Sequence, residues 1–254
     1  MEDFSDPNAL ADFLQSKASQ FEHPDFIEND PISIPHQYQR KEDIEIMGLM
    51  VATIAWGNRI SILKSGKKLQ EIFGESPYDF VMNHDLNREI NFVHRTFQGK
   101  DLAFFIRGLR HTYQQGGLEL AFKNSGENEG MVDRIANFRK KMLTVEHPQR
   151  CEKHISNPLK NASCKRLNMY LRWMVRSAAK GVDFGIWKSI SPAELYIPLD
   201  VHTGNVARKL GILERTQNDW KSNVLLIEYF KTLDPLDPAK FDFALFGLGA
   251  MEKF

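Results

Sequence analysis

The chain has 254 residues, 42% hydrophobic and 26% charged, with a formal net charge of zero; that is enough sequence for one large domain or two small ones, burying roughly 70% of the unfolded surface. No run of about 20 apolar residues occurs, so no membrane-spanning helix is expected, and the acidic opening MEDFSDPNALADFL is not the basic flank a signal peptide needs. With Cys151 and Cys164 the only cysteines, a reducing, cytoplasmic setting is expected, and a four-cysteine zinc or iron–sulfur site is excluded.

Apolar residues recur at spacings of three and four in most segments, the period of an amphipathic helix, and little reads as strand. Asp6 as cap and Pro7 at the first helical position predict a helix over DPNALADFLQSKASQF (6–21), followed by a polar, proline-bearing link. KEDIEIMGLMVATIAWG (41–57) predicts a long, strongly apolar and buried helix. RISILKSGKKLQEIFG (59–74) is amphipathic and ends at Gly74. Ser76 and Pro77 start a helix in SPYDFVMNH (76–84), and GKDLAFFIRGLRHTYQQGG (99–117) runs to the stop at Gly116 and Gly117. SGENEG (125–130) reads as a loop, MVDRIANFRKKML (131–143) as a helix, and 146–163 as irregular.

Ser163 is placed to cap a helix over CKRLNMYLRWMVRSAAKG (164–181), with its stop near Gly181. Leu167, Tyr170, Leu171, Met174, Val175 and Ala178 form its core-facing stripe, with Lys165, Arg172 and Arg176 off that stripe. VDFGIWKSISPAEL (182–195) then connects to YIPLDVHTGNVARKLGIL (196–213). There Asp200 stands where a cap belongs, Val206, Leu210 and Leu213 give apolar spacing, and Gly211 stops the helix. Asp237 and Pro238 begin a last helix in DPAKFDFALFGLGAMEKF (237–254). Within it, Gly247 and Gly249 predict close packing against another backbone. No internal repeat or low-complexity segment is present.

Charge is segregated along the chain. Residues 1–50 carry 3 basic and 11 acidic side chains, whereas residues 131–180 carry 12 basic and 3 acidic. The basic segment reads either as a solvated helical surface or as an electrostatic footprint for phosphate. Taken singly, Asp200 is an ordinary helix cap and Lys165 an ordinary surface lysine.

Their surroundings add more. Asp200, His202, Val206, Arg208, Lys209, Leu210 and Gly211 resemble the segment that carries the catalytic aspartate in the helix–hairpin–helix DNA glycosylases, the superfamily of endonuclease III. That segment reads D-x-H, then Val, two basic residues and Leu-Gly, and the offsets match without a gap. Asn205 stands where the family usually has arginine. Upstream, CKRLN (164–168) resembles the RKTAN of the second hairpin helix, aligning Lys165 with the Schiff-base lysine and Asn168 with the asparagine three residues later. FDFALFGLGAM (241–251) resembles the helix before the iron–sulfur cysteines of endonuclease III and the adenine glycosylases. FQGKDLAFFIRGLRHTYQQGG (97–117) resembles the helix that precedes the hairpin. The chain is also similar to an uncharacterised bacterial family, frequent in Bacteroidetes, related to these glycosylases.

Three features depart from the pattern. The hairpin's L-P-G-V-G is replaced by SNPLKNAS (156–163). Its glycines let backbone amides approach a phosphate; here Pro158, Asn161 and Ser163 would build a different turn. The cluster cysteines are absent. Lys165 and Asp200 stand 35 residues apart, longer than usual. A similar insertion and an atypical hairpin mark the archaeal 8-oxoguanine glycosylases, the subgroup this chain most resembles, which also lacks the cluster.

The resemblance implies an all-α, two-lobed helix–hairpin–helix DNA glycosylase fold without an iron–sulfur cluster. Residues 38–180 would form a six-helix barrel including the atypical hairpin. Residues 1–37 and 181–254 would form the second lobe, carrying the aspartate. It further implies base-excision repair by a bifunctional glycosylase and AP lyase, acting on an oxidised purine such as 8-oxoguanine. Cleaving an N-glycosidic bond builds positive charge on the deoxyribose, and Asp200 would stabilise it where it develops. Lys165 would be the amine that attacks C1′ and forms the Schiff base.

A base inside a duplex must be flipped out to be reached. Trp56 with Asn58, after the buried helix, and Phe246 are the candidate substrate-binding residues, while Trp173 reads as an ordinary core tryptophan. Lys160, Asn161, Ser163, Arg166 and Arg172 are the candidate DNA contacts. His94, His111, His147, His154 and His202 do not make metal spacing, and His202 reads as a hydrogen-bonded structural histidine. No metal and no cofactor are expected. The expected partner is double-stranded DNA, bound by a monomer, with no membrane. Two other readings stand beside this one: a non-catalytic module binding damaged or structured nucleic acid, and an enzyme acting on a nucleoside or other small molecule.

Overall fold

The structure, a computed structural model, describes residues 6–123 and 130–254; all but the last residue of the loop expected at 125–130 lies outside them. It is mostly helical, and among the described residues the only sheet is one two-stranded ribbon. No helix among them is long and apolar enough to cross a membrane. Helix α1 (Pro7–Phe21) starts at Asp6, whose side chain accepts from the Asn8 amide. Then follow α2 (Lys41–Ile54), α3 (Arg59–Phe73), α4 (Pro77–Asn83), the strands β1 (Val93–His94) and β2 (Phe97–Gln98), α5 (Gly99–Gln114), α6 (Leu118–Ala121), α7 (Met131–Met142), α8 (Lys165–Val175), α9 (Val201–Lys209), α10 (Trp220–Leu233) and α11 (Phe241–Ala250).

The chain divides into two compact units, 27–159 and 1–26 with 160–254. The division expected from the sequence was 38–180 and 1–37 with 181–254. In the unit of 27–159, α2 is buried on every side from Asp43 to Ile54, which is why its sequence is almost continuously apolar. It packs against α3 and α4, while α5 packs against α4, α6 and α7. Gly74, at φ +68°, ends α3; Gly116 and Gly117, at φ +104° and +94°, end the α5 segment, a region where a Cβ is disfavoured. Phe122 stacks on Phe138 with centroids 4.2 Å apart.

The core of the other unit gathers Leu10, Leu14 and Ala18 of α1, Val206 and Ala207 of α9, Leu226 and Phe230 of α10, and Phe241, Leu245 and Leu248 of α11. Helix α11 is apolar nearly all round because α1 and α9 both pack on it. Gly247 meets a side chain, whereas Gly249 makes the backbone approach expected, with a Cβ there 3.6 Å from the His202 carbonyl oxygen. A Cβ at Gly247 would lie 2.1 Å from the Phe21 ring, and one at Gly249 would lie 3.0 Å from Val206.

Helix α8 ends at Val175, earlier than the stop expected near Gly181. Arg176 is extended (φ −67°, ψ 148°) and its guanidinium is drawn to Asp183 and Asp237. A separate 3-10 turn, Ala178–Lys180, ends at Gly181 (φ +75°). Ala178, expected on the core stripe, is exposed in that turn.

Candidate active site

Asp200 is the N-cap of α9. Its backbone is extended, and Oδ1 accepts from the amides of His202 at 2.9 Å and Thr203 at 3.1 Å. This satisfies two of the donors a helix start leaves open. The second carboxylate oxygen faces another helix: Oδ2 lies 3.7 Å from Nζ of Lys165, the first residue of α8, and both side chains are 29% exposed. Two residues 35 positions apart thus meet at the starts of two helices, accessible to solvent and held from below. His202 itself is exposed and serves the cap through its amide, rather than as the hydrogen-bonded histidine expected.

Beneath this pair lies a buried ionic network. Arg172, on α8, donates from Nη1 to Asp242 of α11, and its Nε lies 3.4 Å from Asp183. Arg176 holds the other Asp183 oxygen at 2.6 Å, Asp237 at 2.8 Å and Glu22 at 2.7 Å. Both guanidiniums lie over the Phe243 ring, at 4.3 and 5.3 Å from its centroid. Burial pushes the Asp242 carboxyl up to about 6, against the pull of Arg172; the Asp200 charge adds to the rise and the Lys165 charge opposes it. Burial also pulls on Arg176, but Asp237, Asp183 and Glu22 outweigh it and hold that guanidinium above its ordinary range.

Arg172, expected as a DNA contact, is therefore internal: it is 3% exposed, committed to two acids, and part of a helix buried from Leu167 to Val175. Trp173 is fully buried in the same helix. The basic segment loses surface charge accordingly, because Arg134, Arg172 and Arg176 are all buried.

The turn before α8 also differs from expectation. Asn161 adopts the left-handed region (φ +60°). Its Nδ2 donates to Asp219 at 2.9 Å, its Oδ1 accepts from the Lys221 amide at 3.2 Å, and its carbonyl accepts from Trp220 N at 3.1 Å. Asp219 is the N-cap of α10, so the Asn161 side chain anchors a helix start instead of offering itself to phosphate. Ser163 does not cap α8. Cys164, left-handed at φ +53°, takes the N-cap position without a side-chain bond, which leaves the Ser163 hydroxyl one residue too early. The Ser163 carbonyl accepts from Asn168 at 3.0 Å. Lys160 is exposed and Arg166 is half-buried; burial pulls the Arg166 guanidinium down to about 10.

Phe246 is half-buried on α11 and meets Phe26 edge-on, with centroids 5.6 Å apart. Trp56 and Asn58 belong to the unit of 27–159. Asn58 caps α3 through bonds from Ile60 and Ser61. Trp56 is half-buried with its ring edge-on to His94 at 5.1 Å, and His94 Nδ1 lies 2.8 Å from the Ser65 hydroxyl. Burial lowers the His94 imidazole below its ordinary value.

Sequence reasoning missed Asp183 and Asp242, and read Asp237 only as a helix start. One signal was present: Arg172 is flanked by Tyr170, Leu171, Trp173 and Met174, which leaves that part of α8 no polar face on which a solvated arginine would sit. A protein-family model, Protein of unknown function (DUF2400), matches residues 30–251. No curated protein and no solved structure matches the chain.

Proposed function

The chain belongs to the DUF2400 family, and for it we propose the chemistry of a bifunctional DNA glycosylase and AP lyase in base-excision repair, on a two-lobed helix–hairpin–helix glycosylase fold without a cluster. The observation that carries this reading is the approach of Lys165 Nζ to Asp200 Oδ2 at 3.7 Å. These are the two residues that the resemblance aligns with the nucleophile and the catalytic carboxylate. An oxidised purine, 8-oxoguanine first, is the substrate by resemblance.

In this reading Asp200 faces the deoxyribose of a flipped nucleotide and stabilises the positive charge that grows there. The neutral amine of Lys165 attacks C1′ while the C1′–N bond breaks and the base leaves with a proton. The sugar ring opens to a Schiff base on Nζ, and loss of a 2′ proton expels the 3′ phosphate. Lys160 and Arg166 remain the cationic candidates for the DNA backbone. Mixing the protein with lesion-bearing duplexes and reducing with borohydride tests the reading: an adduct that Lys165→Ala abolishes supports it.

The turn at 158–164 favours a second reading. Asn161 is bound into the fold and Arg172 is buried, so less of this region is available to phosphate than the sequence suggests. A non-catalytic nucleic-acid-binding module would show binding without any trapped adduct or released base.

A further inference from the structure

We propose that Asp242 is a positioning residue of the Lys165–Asp200 pair, coupled to it along one face of α8. Lys165 and Arg172 are seven residues apart on that helix, two turns, and so share a face. One end of that face meets Asp200 at 3.7 Å, and the other donates to Asp242. The two ion pairs join the first residue of α8 to the start of α9, and the last turn of α8 to the start of α11.

The charges around Asp242 are not balanced. Arg172 and Arg176 face four carboxylates, Glu22, Asp183, Asp237 and Asp242, while the Lys165–Asp200 pair adds one charge of each sign nearby. Of the other groups near α11, Lys17 of α1 is taken up by Glu252 at 2.5 Å, and Lys240 by Asp234 at 2.6 Å. A proton relieves the excess, and Asp242 is placed to hold it: it is 4% exposed, with a carboxyl that burial brings to about 6. Ionised, it adds a second negative charge behind the Lys165 amine; protonated, it does not. Charge at the pair then changes with pH without any change in the residues that would touch substrate.

The coupling rests on the two ion pairs along α8 and on the buried charge between them, whereas a role in catalysis rests on the function proposed above. The test follows the side-chain carboxyl of Asp242 by 13C NMR through a pH titration of the full chain, with the resonance assigned by its loss in Asp242→Asn. The midpoint is compared in wild type, Lys165→Gln and Asp200→Asn, two substitutions at partly exposed positions. Removing the lysine cation raises the midpoint and removing the aspartate anion lowers it, each by on the order of half a pH unit. Midpoints that stay put in both variants, or move in the same direction, overturn the proposal. Borohydride trapping on an abasic duplex across pH gives the second readout, with an inflection near 6 in wild type that Asp242→Asn removes. An inflection that persists in Asp242→Asn overturns the positioning role. Midpoints that move as stated with no adduct at any pH uphold the coupling and refute the lyase reading.

Discussion

Replacing Arg172 with methionine tests the buried network through its pH dependence. Methionine matches the aliphatic stem of the side chain but removes the guanidinium, which sits 4.3 Å from the Phe243 ring centroid. It removes the donor to Asp242 and the 3.4 Å approach to Asp183. Breaking a buried pair by deleting one partner costs about 3–5 kcal/mol. The pH dependence of that cost identifies its source. In wild type Asp242 ionises at about 6; above that pH it is charged in both folded and unfolded chains and adds no further slope. In the variant, the carboxyl has lost the neighbour that pulled it down, so its folded midpoint rises and it stays protonated further up the scale. Between the two midpoints the variant therefore loses about 1.4 kcal/mol of stability per pH unit relative to wild type. From pH 6 to 8 the gap widens by up to about 3 kcal/mol. Below pH 5 the carboxyl is neutral in both folded proteins, and the remaining gap reflects the contacts with Asp183 and Phe243. Urea denaturation of both proteins at pH 5, 6, 7 and 8, with slopes compared, reads this directly. A gap that stays constant from pH 5 to 8 refutes the assignment of the cost to Asp242.

Two further substitutions separate fold from chemistry. Asp200→Asn keeps an N-cap acceptor for the His202 and Thr203 amides, so its stability stays close to wild type, whereas Asp200→Ala costs about 1 kcal/mol; base release is lost in both. Wild-type base release by Asp200→Asn, measured by single-turnover assay, would reduce Asp200 to a cap. Gly247→Ala places a methyl 2.1 Å from the Phe21 ring and costs about 1–3 kcal/mol through the displacement it forces between α1 and α11. An unchanged Tm in a thermal melt would contradict that packing.

The parts of the fold legible in the sequence are those set by local chemistry. The unbroken apolar run of α2, the glycine stops at Gly74 and Gly116, the Asp6–Pro7 start and the Asp200 cap each reflect a short-range rule about burial, φ or unsatisfied amides. Helix α10 was not read at all, although Asp219 caps it through the Ser222 amide. The early end of α8 was missed for a different reason. Arg176 leaves the helix for partners 7 and 61 positions away, and pairing at that distance leaves no periodic trace. Arg172 was misread because its partner lies 70 residues on. The Ser163 cap did not form because a left-handed residue, Cys164, takes the N-cap position, and the Asn161 side chain is engaged at the start of α10. The Lys165–Asp200 approach was expected only through the resemblance, since neither residue alone differs from an ordinary surface lysine or helix cap.

Borohydride trapping tests the central claim most directly. The protein is mixed with labelled duplexes carrying 8-oxoguanine, uracil, thymine glycol or an abasic site, and reduced. The account predicts a covalent protein–DNA adduct on the 8-oxoguanine and abasic duplexes that disappears in Lys165→Ala. The absence of any adduct on every duplex would contradict it.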